Sequence, residues 1–387
     1  MQEASGNLMH IALFWVSAVF AVALVYPYII YPVILRMLPK QPCSVDNDAI
    51  LNQPGVALLF CAYNEECSLP AKIENIRELK ANFPDIEVHA YTDACSDGTV
   101  ELLRKASAIV TVHEGTTRVG KAAGMRELVS ATSADVLVFT DANVLLDGDA
   151  IAKIMAYFRD PTIGAVAGTL HYTNPEAGQA ARTGSLYWRL EETIKRLESE
   201  SGSTMGADGS IFAMRREFYP DVPLNLLDDL TSSMNPIFLG YRVISAPDVL
   251  AYEKATTKSG DEFNRKRRIA CRAFNTHRHL APQLRSMGML DRFKYVSHKY
   301  LRWFSAGFLL LTVVLFSAGI ASVWGITAAI VILLAGLLVL GLGRMLKIPV
   351  VGVVGEIIMS IIAVGVGVTE ALAGRNYQTW SPAKSRH

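Results

Sequence analysis

The sequence predicts an α/β domain with a mostly parallel sheet, joined to transmembrane α-helices at both ends of the chain. Between residues 55 and 285, short apolar runs alternate with segments of helical spacing, which is the pattern of strand-helix-strand units. Both ends, by contrast, are long and almost uncharged. The expected segments are a transmembrane anchor at 1–40, the α/β domain at 50–285, an amphipathic interfacial helix at 290–303, transmembrane or re-entrant segments at 304–373 and a cytoplasmic tail at 374–387.

The N-terminal apolar segment predicts a retained membrane anchor. Residues 11–38 carry no charge before Arg36, and this length can span a bilayer with some tilt. The segment is too long for the core of a signal peptide, and no small-residue cleavage site follows it. Pro27 and Pro32 predict a kink or an early end of the helix.

The first half of the α/β domain contains four predicted strands. They lie at residues 56–62, 86–92, 109–113 and 136–140, with helices between them. A further helix is expected to follow residue 147, with Asp147 as its N-cap. In a parallel sheet the carboxyl ends of the strands meet at one rim, so we expect Glu65, Asp93 and Asp141 to face one cleft.

Asp141 and Asn143 occupy the corner between the strand 136–140 and the next helix. An Asp-x-Asp-like pair at such a corner can hold a divalent cation through hard oxygen ligands while the cation bridges the phosphates of a substrate. The alternative is an ordinary strand-ending turn, because Asp and Asn favour turns. This stretch alone leaves both interpretations open.

Composition excludes several classes of protein. The net charge of +1 gives no electrostatic reason to expect a nucleic-acid partner. No GxGxxG follows the first strand and no GxxxxGK[ST] occurs, so the signatures of dinucleotide and P-loop sites are missing. The five cysteines include no CxxC pair, and we expect neither a zinc site nor a disulfide.

The C-terminal third contains predicted membrane segments, and two arguments about their orientation disagree. Residues 292–303 mix aromatic and basic side chains, as in an amphipathic helix that lies in the membrane interface. Basic residues at both membrane boundaries, Arg36, Lys40, Lys299 and Arg302, place the α/β domain in the cytoplasm by the positive-inside rule. Three full spans after residue 303 would then leave Arg375, Lys384 and Arg386 outside. Residues 350–373, which contain Glu356, are therefore expected to be broken, re-entrant or interfacial.

Six motifs occur in an order that resembles the membrane-integrated family 2 glycosyltransferases, which include synthases of hyaluronan, chitin, cellulose and bacterial exopolysaccharides. They are CAYNEE at 61–66, TDACSDGT at 92–99, GKAAGM at 120–125, FTDANVLL at 139–146, GADGSIFAMRRE at 206–217 and LLDDL at 226–230, and the ending GRNYQTWSPAKSR is also similar. The resemblance implies a cytoplasmic GT-A domain that transfers a sugar from a UDP-sugar with inversion.

The resemblance also implies roles for single residues. Tyr63, Glu65 and Asp93 resemble nucleoside contacts, Lys121 a contact to the diphosphate or the base edge, and Trp380 part of the donor site. Asp141 and Asn143 stand at the Asp-x-Asp position, which binds Mg²⁺ or Mn²⁺. Asn143 departs from the family pattern, and a neutral amide oxygen is a poorer ligand for these cations than a carboxylate.

The catalytic base and the diphosphate-binding arginine are expected in the second half of the domain. Asp229 matches the family's base, with Asp228 beside it, since an inverting transfer needs a carboxylate to take the proton from the acceptor hydroxyl. The alternative is that both residues only begin a helix. Helical spacing puts Arg265, Arg268 and Arg272 on one face. The family has Gln-x-x-Arg-Trp here: Arg268 matches its Arg, whereas Arg265 and Ile269 replace Gln and Trp.

The expected function is transfer of a sugar to a lipid-linked or saccharide acceptor at the cytoplasmic membrane, in the synthesis of an exopolysaccharide, capsule or glycolipid. The alternatives are processive synthesis and export of a polysaccharide, a nucleotidyltransferase, and a non-enzymatic transporter or scaffold. Ile269 lacks the flat face on which a sugar ring stacks, and at most four membrane segments are present. Both observations favour the transfer of one or a few sugars over processive synthesis. The oligomeric state is not predicted.

Overall fold

The computed structural model describes residues 2–43, 54–174, 176, 179–346 and 348–380. The first residues assigned to the α/β domain, 50–53, lie outside this part of the chain. Lys347 and the predicted tail residues 381–387, which include Lys384 and Arg386, also lie outside it.

A single mixed sheet forms the centre of the α/β domain. Its strands are β1 Val56–Ala62, β2 Glu87–Asp93, β3 Thr111–Gly115, β4 Val136–Asp141, β5 Leu145–Leu146, β6 Ile163–Tyr172, β7 Ile211–Arg215 and β8 Arg242–Glu253. Their order in space is β3-β2-β1-β4-β7-β6-β8-β5. Strand β1 is buried along its whole length, as a continuous apolar run between two covered faces requires.

The sheet is parallel only in part. The neighbours β3, β2, β1 and β4 run parallel, and so do β6 and β8. Strand β7 lies antiparallel between β4 and β6, and β5 pairs antiparallel with β8. The α/β prediction with its parallel first half is confirmed, and the antiparallel strands belong to the second half of the domain, where no strands were predicted.

Helices connect the strands and form both ends of the chain. Within the described residues they are α1 Gln2–Val25, α2 Ile30–Met37, α3 Leu69–Asn82, α4 Thr99–Lys105, α5 Lys121–Ala131, α6 Ala150–Tyr157, α7 Gln179–Glu200, α8 Asp228–Phe238, α9 Ser259–Ser286, α10 Met289–Tyr295, α11 Leu301–Trp303, α12 Ser305–Trp324, α13 Ile326–Met345 and α14 Pro349–Leu372.

Asp147 does not cap a helix, so that prediction is wrong. Helix α6 begins at Ala150, after Asp149, because β5 is inserted between β4 and this helix. The amide of Asp147 donates instead to the Leu250 carbonyl of β8 at 3.0 Å. Its carboxylate lies 3.3 Å from Lys153. The short β5 strand has too few residues to leave a periodic signal in the sequence.

The N-terminal apolar segment is bent, as its prolines predicted. Helix α1 ends at Val25, just before Pro27, and the axis of α2 turns by 61° from that of the preceding helix. In α2 the buried Tyr31 donates from its hydroxyl to the Glu198 carboxylate at 2.5 Å. The bend therefore brings α2 onto α7 of the α/β domain, while Ser17 of α1 binds the Thr312 carbonyl of α12 at 3.0 Å.

Three helices in the described C-terminal region are long and apolar enough to cross a membrane. They are Ser305–Trp324, Ile326–Gly343 and Val350–Leu372, and the bent N-terminal pair would make a fourth span. Helix α14 is continuous from Pro349 to Leu372, so of the three expected forms the broken one is wrong. The re-entrant and interfacial forms stay predictions. It packs closely on α9, because a Cβ atom at Gly367 would overlap the Arg267 carbonyl.

The segment after α9 is helical, but two of its basic side chains, Lys294 and Arg302, are buried in the protein. It consists of α10, a π-turn at Val296–Tyr300 and α11. Lys294 is fully buried and donates to the carbonyls of Glu198, Ser201 and Ser203 at 2.9 to 3.2 Å. Arg302 is also buried. The expected interfacial helix therefore has these basic residues packed against α7, which sequence periodicity could not distinguish from contact with lipid headgroups.

Candidate active site

Aromatic and basic side chains meet beyond the carboxyl end of β1. The guanidinium of Arg118 lies 3.6 Å from the centre of the Tyr63 ring. The Trp380 ring meets the Tyr63 ring edge-on, with 6.1 Å between their centres. Arg118 also donates to the Trp380 carbonyl. The structure thus places the predicted Tyr63 and Trp380 together, and it adds Arg118 to them.

The C-terminal tail reaches this cleft by following the loop before α5. The Gln378 side chain donates from Nε2 to the Val119 carbonyl at 3.0 Å. Gly120 has a φ of 91°, and a Cβ atom at this position would overlap the Gln378 carbonyl. Glycine is therefore required at position 120 both by the backbone conformation and by the close approach of the tail.

Two of the predicted nucleoside contacts, Asp93 and Glu65, hold loops in place. Asp93 is fully buried and accepts hydrogen bonds from the amides of Val119 and Gly120, at 2.7 and 3.0 Å. Glu65 is buried and accepts a hydrogen bond from Ser68 at 3.0 Å. These carboxylates support the walls of the cleft. Their contact with a nucleoside stays a prediction.

Lys121 connects the two halves of the site. Its Nζ atom donates to Asp141 Oδ1 at 2.6 Å and lies 3.9 Å from Asp228 Oδ2. Burial disfavours the charged form of Lys121, but the carboxylates of Asp141, Asp228 and Asp229 outweigh it, and the net effect raises the pKa of the ammonium. Lys121 therefore stays protonated, and it brings the carboxylates of β4 and α8 to one point.

Asp229 is a carboxylate whose surroundings favour its protonated form. Burial and then the neighbouring Asp228 carboxylate raise the pKa of Asp229 to about 7, although Lys121 opposes them. Oδ1 accepts from the Leu230 amide at 2.7 Å. Gly209 lies opposite, and a Cβ atom there would come within 2.8 Å of Lys121 Nζ and 3.3 Å of Asp229 Oδ2. The loop before β7 thus approaches both groups as closely as a glycine allows.

Asn143 is held by a carboxylate from the other half of the domain. Its Nδ2 atom donates to Oε1 of Glu253, the last residue of β8, at 2.9 Å. A carboxylate accepts hydrogen bonds, so the amide nitrogen faces Glu253 and the amide oxygen faces away from it. Among the described residues no three His, Cys, Asp or Glu side chains are grouped closely enough to hold a metal ion. A cation at Asp141 and Asn143 would thus need further oxygens from a substrate.

The basic face of α9 is divided between different partners. Arg265 forms two hydrogen bonds with the Glu262 carboxylate, both at 2.9 Å. Arg272 lies 3.7 Å from Asp228 and donates to the Leu226 carbonyl, so it supports the loop that carries the aspartates. Arg268 lies between them on the helix and is partly buried.

Sequence reasoning gave no role to Arg118, Glu253 or Arg272. Arg118 lies two residues before Gly120, so the glycine-lysine motif was a local signal for it. Arg272 belongs to the predicted basic face. Glu253 ends a strand that was not predicted, and no local motif indicates its contact with Asn143.

Known proteins with the same fold or a similar sequence are glycosyltransferases. Residues 58–222 match the family model "Glycosyl transferase family 2". The chain is similar in structure to the mannosyltransferase PcManGT from Pyrobaculum calidifontis, solved with GDP-Man and Mn²⁺, with 21% identity, a TM-score of 0.72, and coverage of 94% of this chain and 99% of that one. It is 29% identical over 98 residues to an N-acetylglucosaminyltransferase of Azorhizobium caulinodans, and this match covers a quarter of either chain.

Proposed function

Because the chain contains a family 2 glycosyltransferase domain with a GT-A fold, we propose that it is an inverting hexosyl- or N-acetylhexosaminyltransferase. It takes its sugar from a UDP-linked donor. The observation that carries this proposal is the cluster of Lys121, Asp141, Asp228 and Asp229, in which the pKa of Asp229 is raised to about 7. A carboxylate with this pKa is suited to accept a proton from an acceptor hydroxyl at neutral pH.

The donor nucleotide binds where the tail meets the loop after β1 and the loop before α5. Tyr63, Arg118 and Trp380 offer flat faces to the base, and Arg118 stacks on Tyr63 while it donates to the Trp380 carbonyl. Asp93 keeps the loop before α5 in position for the ribose and diphosphate. Lys121 and Arg268 provide positive charge for the diphosphate as the sugar departs.

The residues at the corner after β4 fit a divalent cation that is shared with the substrate. Asp141 contributes a carboxylate that is 38% exposed, and Glu253 turns the Asn143 amide oxygen away from itself. Mg²⁺ in particular is often bound by one or two protein oxygens together with the phosphates of a substrate. When bound, Mg²⁺ or Mn²⁺ neutralises charge on the leaving diphosphate. Mn²⁺ in the Pyrobaculum mannosyltransferase supports this cofactor.

The transfer of the proton and the binding of the diphosphate involve different residues around Lys121. Asp229 accepts the proton of the acceptor hydroxyl, and Asp228 keeps its proton affinity high. Lys121 remains charged and faces Asp141 on one side and Asp228 on the other. Gly209 keeps the loop before β7 close to Lys121 and Asp229 without a side chain between them.

We place the enzyme in the cytoplasmic membrane, with its catalytic domain on the cytoplasmic side. Basic residues at both membrane boundaries support this orientation. The described part of the tail, up to Trp380, contacts the catalytic cleft and would therefore share its side of the membrane. Membrane lipids surround α12 and α13, whose side chains are mostly exposed.

Release of nucleotide from a panel of nucleotide sugars tests this function. The purified full chain with Mg²⁺ or Mn²⁺ should release UDP from a UDP-hexose or a UDP-N-acetylhexosamine. GDP-mannose belongs in the panel because the Pyrobaculum enzyme binds it. Release from GDP-mannose alone would overturn the UDP assignment, and release from no nucleotide sugar would overturn the proposed function.

A further inference from the structure

An aromatic pocket lies beside the proposed catalytic cleft, and no role has been assigned to it above. It lies between the end of β6, the middle of α7 and the first turns of α9. The space between its walls measures about 300 Å³ and is open to solvent. The pocket is lined by Tyr172, Gly184, Tyr187, Trp188, Ala255, Thr256, Glu262, Arg265 and Lys266.

The walls combine flat apolar faces with polar atoms that have no partner. Trp188 and Tyr172 meet edge-on, with 6.2 Å between ring centres, and Tyr187 is 36% exposed. Trp188 Nε1 and Thr256 Oγ1 are buried, and within the described residues neither has a hydrogen-bond partner. Buried polar atoms are rarely left unpaired, because they have lost their hydrogen bonds to water. Both atoms belong to residues that line the pocket.

The charged groups of the pocket are two cations that share one carboxylate. Arg265 is paired with Glu262, and Lys266 Nζ lies 3.5 Å from the same carboxylate. The N–H groups of both cations can donate hydrogen bonds to the hydroxyls of a sugar. Aromatic faces together with paired polar groups are suited to the apolar face and the hydroxyl rim of a sugar ring.

The pocket adjoins the catalytic groups on two sides. Tyr172 pairs in register with Glu253, which binds Asn143. On the other side, Lys195 Nζ lies 5.6 Å from the centre of the Trp188 ring and 2.9 Å from Asp208. Asp208 directly precedes Gly209, which approaches Lys121 and Asp229.

The pocket also adjoins a helix that can lie in the membrane. Lys266 donates to Ser360 of α14 at 2.6 Å, and its ammonium lies 5.5 Å from the centre of the Tyr187 ring. An acceptor whose lipid part runs along α14 would therefore bring its first sugar to this pocket.

We propose that this pocket, with Tyr187 and Trp188 as its stacking faces, binds the sugar unit of the acceptor; this inference rests on the proposed function. The pocket provides the aromatic surface that the exposed Ile269 of α9 lacks. Because the pocket is open to solvent, the ring lies across its mouth, against the exposed side of Tyr187.

Binding of small glycosides to the full chain in detergent tests the pocket directly. The probes are the methyl glycosides of glucose, mannose and N-acetylglucosamine, titrated in the presence of UDP and Mn²⁺ and followed by ligand-observed NMR. We expect at least one to bind, and we expect Trp188→Ala and Tyr187→Ala each to weaken that binding by roughly tenfold. Trp188→Phe, which keeps an aromatic ring, should lose less. Leu186→Ala is the matched control, since Leu186 is exposed on the same helix outside the pocket.

Transfer kinetics provide the second measurement. With the bound glycoside as acceptor, Trp188→Ala should raise the KM for the glycoside far more than the KM for the donor. Equal glycoside binding by the Trp188, Tyr187 and Leu186 variants, or no glycoside binding by the wild type, would overturn the pocket assignment. Nucleotide release by the wild type separates the two proposals, because its absence overturns the proposed function and its presence does not depend on the pocket.

Discussion

At the scale of residues, the site is a set of charges arranged around one lysine. Lys121 begins α5, Asp141 ends β4 and Asp228 begins α8, and the lysine ammonium lies 2.6 Å from the first carboxylate and 3.9 Å from the second. Each comes from a different part of the chain, and each lies at the end of a helix or strand. Beside this set, burial and the Asp228 carboxylate raise the pKa of Asp229, and two tests examine this residue.

Replacement of Asp229 by Asn should abolish transfer while nucleotide binding stays nearly intact. The change keeps the size of the side chain and removes its basicity, and loss of a general base typically costs about 10²- to 10⁴-fold in rate. Steady-state transfer and UDP affinity would be measured side by side. Asp221→Asn is the control, since its side chain is 84% exposed and pairs with Arg126 at the surface. More than a tenth of wild-type transfer in Asp229→Asn would exclude this base.

The pH profile should follow Asp229. The protonated carboxyl cannot accept a proton, so kcat/KM should rise with pH and level off above the pKa of about 7. Asp228→Asn removes the negative charge that helps to raise the pKa of Asp229, and the rise should therefore move to lower pH. The measurement is kcat/KM across this pH range for both proteins. If kcat/KM rose over the same pH range in Asp228→Asn as in the wild type, Asp229 would not be the group that controls the profile.

Metal binding should depend on Glu253 although it is not a proposed ligand. Its carboxylate holds Asn143 Nδ2 at 2.9 Å and so orients the amide oxygen. Loss of such an orienting partner typically costs about 10- to 100-fold in metal affinity, so Glu253→Gln should weaken Mn²⁺ binding in the presence of UDP. Asn143→Asp should retain or tighten it, because a carboxylate is the better ligand.

Electron paramagnetic resonance of free Mn²⁺ measures this affinity without any turnover. Asp248→Asn, on the same strand and bonded to Tyr157, serves as the control. Equal Mn²⁺ affinity in the wild type and in Glu253→Gln would show that this carboxylate does not orient the site.

At the scale of elements, helices α9 and α14 and the tail act together. Glu370 near the end of α14 lies 3.6 Å from Arg267 of α9, and Arg375 then pairs with Glu370 at 2.7 Å. Asn275 of α9 donates to the Arg375 carbonyl at 3.0 Å. These contacts turn the chain back from α14 and direct the tail along the loop before α5 to Tyr63.

Removal of the tail's aromatic side chain should weaken nucleotide binding. Trp380→Ala and Arg118→Ala each take away one member of the group around Tyr63, and each should lower the affinity for UDP by roughly tenfold. Calorimetric titration with UDP is the measurement. Trp324→Ala is the matched control, because Trp324 is 66% exposed at the end of α12. If both cleft variants bound UDP as tightly as the wild type, the uracil base would have to bind elsewhere.

At the scale of the whole molecule, buried hydrogen bonds attach the N-terminal helices and the segment before α12 to the catalytic domain. His298 is fully buried between Glu191 and Glu198 of α7, at 2.7 and 2.9 Å. Glu198 also accepts from Tyr31 of α2. Buried pairs of this kind fix geometry more than they add stability. The position of the cleft relative to the apolar helices is therefore defined by α7.

The product should be a discrete glycolipid rather than a long polymer. At most four candidate spans occur among the described residues, and Ile269 of α9 is 38% exposed without an aromatic face. Four membrane helices are few to enclose a channel for a growing polymer within one chain. Incubation of the enzyme with its donor and membrane lipid, followed by lipid extraction and sizing, measures this. Long water-soluble polymer made from the donor alone would refute limited transfer.

The sequence by itself determined the elements that depend on local pattern. Strand β1 has the predicted bounds, and β2 and β4 begin or end within one residue of theirs, because buried strands require continuous apolar runs. The apolar C-terminal helices were also predictable, since bilayer thickness prescribes their length.

Only the tertiary structure decided which side chains meet. Asn143 and Glu253, 110 positions apart, and the rings of Tyr63 and Trp380 are brought together by the order of strands and by the return of the tail. The same holds for Lys294, which looked like a headgroup contact and is fully buried. Helical periodicity records that a face is polar or apolar, but it does not record which surface covers that face, because the partner lies far away in the chain.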